Sequence, residues 1–192
     1  MKEMIDILNK NNFTVVNFED KNDLYKYLER KVDANKKVAF GGSMTAKELD
    51  LYDFFKKRGN SVNWHWKGDD IKESDKADVY FVSPNAISKD GKAFFVDQLG
   101  NRIRNISSDT KEIIIVAGTN KIVENEEEAI KRIETIAAPK NAKRLKLTTP
   151  CVKTGICSHC MSKERICNYF LKIERNIHNN MSILIINGEY GY

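Results

Sequence analysis

Four cysteines are the residues of this sequence best suited to chemistry, because they lie within seventeen consecutive residues and are the only cysteines in the 192-residue chain. They are Cys151, Cys157, Cys160 and Cys167. Thiolates at such spacing can surround one zinc ion or one iron–sulfur (4Fe–4S) cluster, and the spacing does not distinguish the two. We therefore expect a metal site made of these thiolates, with His159 as a possible substitute ligand. Redox-active or purely structural thiols are the alternatives.

A second group of residues suits the binding of an anion. The stretch Gly41–Thr45 (GGSMT) follows the short apolar run Lys37–Phe40. Glycines let backbone N–H groups approach an anion, and the start of a following helix favours negative charge. Ser43 and Thr45 add hydroxyl groups, and the spacing of Thr45 and Glu48 predicts a capping box. The alternative is a tight strand-to-helix turn without a ligand, because the stretch is neither a Walker loop nor a complete GxGxxG motif.

Further polar residues follow other predicted strands. Asn85 comes after the strand predicted at Asp78–Ser83, Lys121 comes after the strand predicted at Glu112–Ala117, and Asn101 follows a hairpin. Ligands of open α/β sheets bind at the carboxyl ends of the strands, so these side chains are expected to converge. The predicted ligand site consists of Gly41, Gly42, Ser43, Thr45, Asn85, Asn101 and Lys121. Taken singly, each asparagine and glycine is equally typical of an ordinary turn.

The elements that position these residues alternate between extended and helical patterns. Besides the two strands just named, the pattern predicts strands at Thr14–Phe18, Lys37–Phe40, Ser61–Trp66 and Ser182–Ile186, and a hairpin at Asp90-Gly91. The clearest helix is predicted at Glu124–Ala138 and is expected to end at Pro139. Such alternation indicates an α/β fold, a three-layer sandwich with a mostly parallel sheet.

Charge and composition narrow the class of protein. The chain carries a net charge of +5, whereas residues 140–175 alone hold nine basic and two acidic residues, a net charge of +7. No apolar run approaches the roughly 18–20 residues that cross a bilayer, so no membrane span is expected. The first twelve residues lack the apolar core of a secretory signal. We expect one cytoplasmic domain over residues 1–192, with a cysteine-rich metal-binding segment at about residues 150–168.

Several segments, taken in order, resemble the lactate-utilisation (LUD) family in its short form with a cysteine-rich C-terminal part. They are Phe40–Thr45, Ser83–Ser88, Gly100–Arg102, Val116–Val123, Ala137–Leu145 and Pro150–Asn168. The resemblance implies a fold similar to that of sugar-phosphate isomerases, ribose-phosphate isomerases and CoA transferases. In that group a glycine-rich loop and an Asn/Lys set surround a phosphorylated or CoA-like ligand, which again points to the seven residues above. The glutamate nucleophile of the CoA transferases has no counterpart here, which argues against transferase chemistry.

The resemblance implies an accessory or redox protein that supports the oxidation of lactate or a similar small organic acid, alone or with redox protein partners. An isomerase or hydrolase of a phosphorylated metabolite, with a structural zinc site, is the alternative. A nucleic-acid-binding regulator that uses the basic segment is a second alternative, less expected because aromatic residues are sparse there. No catalytic nucleophile is identified, whether the chain is itself an enzyme is left open, and a homo-oligomer is compatible with the sequence.

Overall fold

Six short strands form a parallel sheet at the centre of the molecule. The computed structural model describes residues 1–109 and 111–192. Its ten strands are β1 (Thr14–Phe18), β2 (Lys37–Phe40), β3 (Ser61–Asn63), β4 (Val79–Val82), β5 (Ala86–Ser88), β6 (Lys92–Asp97), β7 (Glu112–Gly118), β8 (Ile122–Val123), β9 (Tyr169–Ile173) and β10 (Met181–Ile186). The main sheet has the order β1-β10-β7-β4-β2-β3, with every pairing parallel. The inner strands β4, β7 and β10 are almost continuously apolar, as strands covered on both faces must be.

Helices cover both faces of this sheet. They are α1 (Lys2–Lys10), α2 (Lys21–Lys31), α3 (Met44–Glu48), α4 (Leu51–Lys57), α5 (Asn101–Ile106), α6 (Glu126–Arg132), α7 (Ala138–Arg144) and α8 (Pro150–Thr154). Ile113 and Ile115 of β7 pack with α1 and α5 in one core, whereas the alternate residues Ile114 and Val116 pack with α2, α3 and α4 in another. Each fully buried aliphatic side chain contributes about 1.5–3 kcal/mol. The predicted three-layer sandwich with a mostly parallel sheet is confirmed.

A smaller sheet with the order β8-β5-β6-β9 lies beside the main one. Its centre is the predicted hairpin, in which β5 and β6 are antiparallel and Gly91 takes a φ of +88° at the turn. The strand β9, which the sequence pattern did not reveal, is antiparallel to β6, with Tyr169 opposite Asp97 and Ile173 opposite Ala93. The sheet buries Phe94 and Val96 against Ala129 and Ile133. It therefore joins the cysteine-rich segment, which precedes β9, to the body of the fold.

The prediction that Pro139 ends the long helix is wrong. Residues Ile133–Ala137 form one π-helical turn, and α7 continues directly from it to Arg144. Proline lacks an N–H and clashes with the carbonyl one turn earlier, so an ordinary α-helix would break or kink there. Pro139 lies within the first two positions of α7, and the wider π turn before it changes the hydrogen-bond pattern at this point. The helix therefore passes Pro139 and carries Asn141 and Arg144 beyond it.

The last six residues, 187–192, form a segment that we call the C-terminal strap. It leaves β10 and crosses the end of β7, where the Thr119 hydroxyl hydrogen-bonds both the N–H and the carbonyl of Gly188. Asn120 Nδ2 then donates to the carbonyl of Gly191, and Thr45 Oγ1 donates to the carbonyl of Tyr190. The strap thereby contacts the loops that follow two strands of the main sheet. In the described part of the chain, no helix is long and apolar enough to cross a membrane.

Substitution of Gly118 by alanine is expected to loosen the strap. An added Cβ would lie 2.7 Å from the carbonyl oxygen of Gly188 and 2.8 Å from the backbone nitrogen of Tyr190, and backbone atoms cannot move aside cheaply. We expect the free energy of unfolding, measured in urea, to fall by about 1–3 kcal/mol. The control is Gly42→Ala, because the atoms nearest to its added Cβ belong to the side chain of Trp66, at 3.3–3.4 Å, and not to the backbone. Equal stability of the two variants would contradict the tight packing of the strap.

Candidate functional site

A cavity of about 220 Å³ opens at the carboxyl ends of β2 and β4, beside the end of β6. Five of the seven predicted ligand residues line it, namely Gly42, Ser43, Asn85, Asn101 and Lys121. Gly41 and Thr45 do not line it but contact side chains that do. The structure thus brings the predicted residues together, as the rule for parallel sheets led us to expect.

Gly41 is needed for close packing. Its N–H donates to the carbonyl of Phe81 at 2.9 Å and extends the pairing of β2 with β4. A Cβ at this position would lie 2.8 Å from the Tyr80 hydroxyl and 3.0 Å from the side chain of Arg102. A larger residue would therefore displace Arg102, which lines the cavity. The contribution of Gly41 to the site is indirect.

The helix that follows the glycines begins differently from the prediction. Ser43 is its N-cap, and the Ser43 hydroxyl accepts a hydrogen bond from the Ala46 N–H at 3.0 Å. The predicted capping box of Thr45 and Glu48 is therefore wrong, because Thr45 already lies within α3 and its hydroxyl is directed at Lys121. The helix has only five residues, so its dipole is small. Attraction for an anion must come from charged side chains.

The main charged group is the ammonium of Lys121, which is only 3% exposed. Its Nζ donates to Thr45 Oγ1 at 2.9 Å, to Ser83 Oγ at 2.8 Å and to the carbonyl of Pro84 at 3.1 Å. All three acceptors are neutral, and within the described residues no carboxylate forms an ion pair with it. The pKa of Lys121 is lowered to about 7, mainly by burial and also by the nearby charges of Arg132 and Arg102, against a smaller opposing effect of Glu48.

Two arginines surround this lysine without supplying a counter-ion. Arg132 is 7% exposed and donates to the carbonyls of Asn120 and Asn85, and burial lowers its pKa. Arg102 donates to the carbonyl of Val96, and its Nε lies 3.7 Å from a carboxylate oxygen of Asp97. Arg102 is therefore largely neutralised, whereas Lys121 and Arg132 are buried positive charges with only neutral partners.

Arg144 forms the outer wall of the cavity, where it is exposed. Its guanidinium lies over the ring of Trp66, 4.6 Å from the ring centroid. Its Nε donates to Tyr192 Oη at 2.8 Å and to Asn141 Oδ1 at 3.1 Å, and its Nη2 donates to Asn141 Oδ1 at 2.8 Å. The side chain is thus held in one position by an aromatic ring and two neutral polar groups.

Two further titratable side chains line the cavity, His65 and Asp97. Burial lowers the pKa of His65, and the positive charge of Arg102 lowers it further. Asp97 accepts a hydrogen bond from the Arg102 backbone N–H at 2.9 Å. Sequence reasoning named neither as a ligand residue, and it also missed Arg144 and Tyr192. Arg144 belongs to a segment that resembles the LUD family, which is the signal that could have found it.

The four cysteines lie in the segment that connects α7 to β9. Cys151 is in α8, Cys157 and Cys160 are in the loop that follows, and Cys167 precedes β9 and packs on the core of the smaller sheet. All four are free thiols and partly exposed. The N–H of Cys157 donates to the carbonyl of Glu134 in the π turn at 2.8 Å, so the loop is attached to the long helix.

Three of the four sulfurs have a polar neighbour. Thr149 Oγ1 lies 3.3 Å from the sulfur of Cys151, the His159 N–H donates to that of Cys157 at 3.4 Å, and Arg165 Nη2 donates to that of Cys167 at 3.6 Å.

The cysteines also affect one another. Burial raises the pKa of Cys157, and Cys167 and Cys151 add to that rise. Across the described residues, however, no three His, Cys, Asp or Glu side chains stand in an arrangement that holds a metal ion. The four-cysteine metal site therefore stays a prediction.

The LUD domain is the family whose model matches this chain, over residues 1–186. A search of the curated proteins found no match. Among solved structures, the chain is similar to a DUF162 family protein from Deinococcus radiodurans, with 13% sequence identity and a TM-score of 0.57, covering 97% of this chain and 95% of that one. At this identity the likeness shows the fold alone.

A weaker likeness is to eIF2B beta from Chaetomium thermophilum, with 12% identity and a TM-score of 0.41, covering 66% of this chain and 44% of that one. A TM-score at this level does not show a common fold. The family match, in contrast, extends over nearly all of the sequence and agrees with the segments from which the resemblance was inferred. The chain belongs to the LUD domain family.

Proposed function

We propose that this protein binds a small organic anion, lactate or a similar acid, and supports its oxidation as an accessory or redox protein of the cytoplasm. Membership of the LUD domain family is consistent with a protein related to lactate utilisation. The observation that carries the proposal is the ammonium of Lys121, which is buried at the wall of a cavity with only neutral hydrogen-bond partners.

Electrostatics favours an anion over any other ligand. Burying a charge without a partner is costly, and here Lys121 and Arg132 are buried close enough for each to disfavour the charge of the other. Arg144 adds a third positive charge at the entrance, whereas Asp97, the one acidic side chain among the described lining residues, is already paired with Arg102. An anion bound beside Lys121 would offset the positive charge buried at the inner end of the cavity.

The size of the cavity favours a small ligand. Pockets for drug-sized molecules measure about 300–1,000 Å³, and this one is smaller. Besides the cations, the polar groups of its lining include the hydroxyl of Ser43 and the amides of Asn85 and Asn101. Asn85 Oδ1 accepts from the Val96 N–H at 2.8 Å, which orients the amide nitrogen of the same side chain as a donor. An acid of a few carbon atoms with a hydroxyl or oxo group matches these dimensions and donors.

The four cysteines are proposed to hold the metal centre of the protein. The backbone N–H of His159 and the guanidinium of Arg165 donate hydrogen bonds to the sulfurs of Cys157 and Cys167, and such outer contacts orient the ligands of a metal or a 4Fe–4S cluster. Arg165 also donates to the carbonyls of Cys160 and Cys167, and so fixes the chain between them. A cluster would supply one-electron transfer to a redox partner, whereas zinc would stabilise the segment.

A second candidate function is supported by the titratable groups of the cavity. Lys121, with a pKa of about 7, lines the same cavity as His65 and Asp97. General acid–base catalysis works best with groups that titrate near the working pH. These groups favour an isomerase or hydrolase acting on a phosphorylated metabolite, with zinc at the cysteines. Turnover of a sugar phosphate that persists after loss of the metal would support this alternative.

The affinity for a carboxylate is expected to depend on pH through Lys121. An anion favours the charged lysine, so binding raises its pKa above the value of about 7 in the free protein. Affinity is therefore highest below pH 7 and falls by about tenfold per pH unit above it, until the pKa of the complex is reached. Calorimetric titration with lactate between pH 6.5 and 8.5 measures this, because lactate itself does not titrate in that range.

The Lys121→Gln variant is the control for this pH dependence. It should bind lactate weakly and with no change in affinity across the same pH range. An affinity of the unmodified protein that stays constant from pH 6.5 to 8.5 would contradict the role of Lys121, whether or not the variant folds.

Loss of one cysteine is expected to release the metal. Cys157→Ser should lower the content of iron and acid-labile sulfide, or of zinc, in protein purified without oxygen, because a missing thiolate opens the coordination shell. It should also lower the melting temperature. Ser158→Ala changes the neighbouring exposed residue and should alter neither quantity. Unchanged metal content in Cys157→Ser would refute a site made of all four cysteines.

A further inference from the structure

Within the described part of the chain, two cations that line the cavity have no acidic partner, and they lie at different depths. Lys121 is at the inner end, where the strap residue Gly191 packs against it so closely that an added Cβ would lie 3.4 Å from its Nζ. Arg144 is at the exposed entrance, hydrogen-bonded to the hydroxyl of Tyr192. Tyr192 follows Gly191 in sequence and lines the cavity. Its backbone therefore lies near Lys121 while its hydroxyl reaches Arg144, so Gly191 and Tyr192 together connect the surroundings of the two positive charges.

The remaining cationic side chains of this region are already engaged. Arg102 is paired with Asp97 and with the carbonyl of Val96, and Arg132 does not line the cavity. His65 is favoured in its neutral form by burial. Among the described residues that line the cavity, Lys121 and Arg144 are thus the two positive charges without an acidic partner.

Arg144 has donors left for a ligand. Its Nε and Nη2 bind Asn141 and Tyr192, while its Nη1 has no hydrogen-bond partner among the described residues. The stacking on Trp66 and the bonds to two neutral groups fix the guanidinium before any ligand arrives. Little side-chain entropy remains to be lost on binding, so a fixed arginine is an effective receptor for a carboxylate or a phosphate.

We propose that the ligand of this cavity carries two anionic groups, one bound near Lys121 and the other at Arg144. Its class is that of short dicarboxylic acids and phosphorylated carboxylic acids. The inference rests on the proposed function, that the cavity binds a small organic anion, and narrows it. A ligand with one anionic group would leave either the buried or the outer cation unmatched, whereas a ligand with two matches both.

Calorimetric titration with matched pairs of acids tests this inference. Malonate, succinate and glutarate are compared with propionate, butyrate and valerate, which have the same chain lengths and one carboxylate fewer. 2-Phosphoglycolate is added to distinguish a phosphate from a second carboxylate. We expect at least one dianion to bind tenfold or more tightly than its matched monoanion, because its second anionic group accepts charge-assisted hydrogen bonds from Arg144.

Variants of helix α7 locate the second anionic group. Arg144→Gln should weaken the binding of the best dianion about tenfold or more and leave the monoanion within about twofold, because the monoanion binds at Lys121. Arg144→Lys keeps the charge without the planar fork and should recover part of the affinity. Lys143→Gln removes the same charge from the adjacent exposed position and should change neither affinity.

The outcomes separate the two proposals. Equal affinities for dianions and monoanions, or a dianion affinity that Arg144→Gln leaves unchanged, would overturn the inference while leaving an anion site in place. A chain that binds neither lactate nor any of these acids at millimolar concentration would overturn the proposed function itself.

Discussion

A lysine ammonium buried among neutral oxygens holds the centre of this protein together. Lys121 follows β7, and its three hydrogen bonds go to Thr45 after β2 and to Ser83 and Pro84 after β4. One cation thus connects the segments that follow the carboxyl ends of three strands. The arrangement keeps a positive charge away from water, and the lowered pKa of Lys121 reflects that cost. The cavity, its charge and the position of its lining follow from this one group.

Different elements fix the inner and the outer end of the cavity around Lys121. The parallel sheet fixes the inner end of the cavity through buried strands, and the long helix with its π turn fixes the outer end through Asn141 and Arg144. The same π turn accepts a hydrogen bond from Cys157, so the cysteine-rich loop and the entrance of the cavity are built on one helix. Ile166, the residue before Cys167, also lines the cavity. The proposed metal segment and the proposed ligand site therefore share a wall.

Much of the fold and of the candidate ligand site could be predicted from the sequence, and the physical reason differs between the two. The convergence of Gly42, Asn85 and Lys121 was predictable because strands of a parallel sheet end at the same edge, whatever the loops do. The hairpin was predictable because its signal, the Asp90-Gly91 pair between two apolar runs, lies in neighbouring residues of the sequence.

Features that depend on distant packing were not predictable. The strand β9 and the Arg144–Tyr192 bond are of this kind, since residues 144 and 192 meet only after the sheet has formed. Pro139 misled the helix prediction because the π turn that accommodates it has no clear sequence signal. The role of Thr45 was misassigned because a hydroxyl near a helix start can cap it or face a buried cation, and only the fold decides.

The place of β10 in the sheet has a consequence for the order in which the protein can fold. Thr14 of β1 pairs with Ser182 of β10, and the other edge of β10 pairs with β7. During synthesis β1 therefore lacks its pairing strand until β10 has left the ribosome, and β7 has one open edge for the same time. Open strand edges can pair with other chains, so this topology leaves two such edges exposed until β10 is in place. Because the strap follows β10 directly, sheet closure and completion of the cavity happen in the same late step.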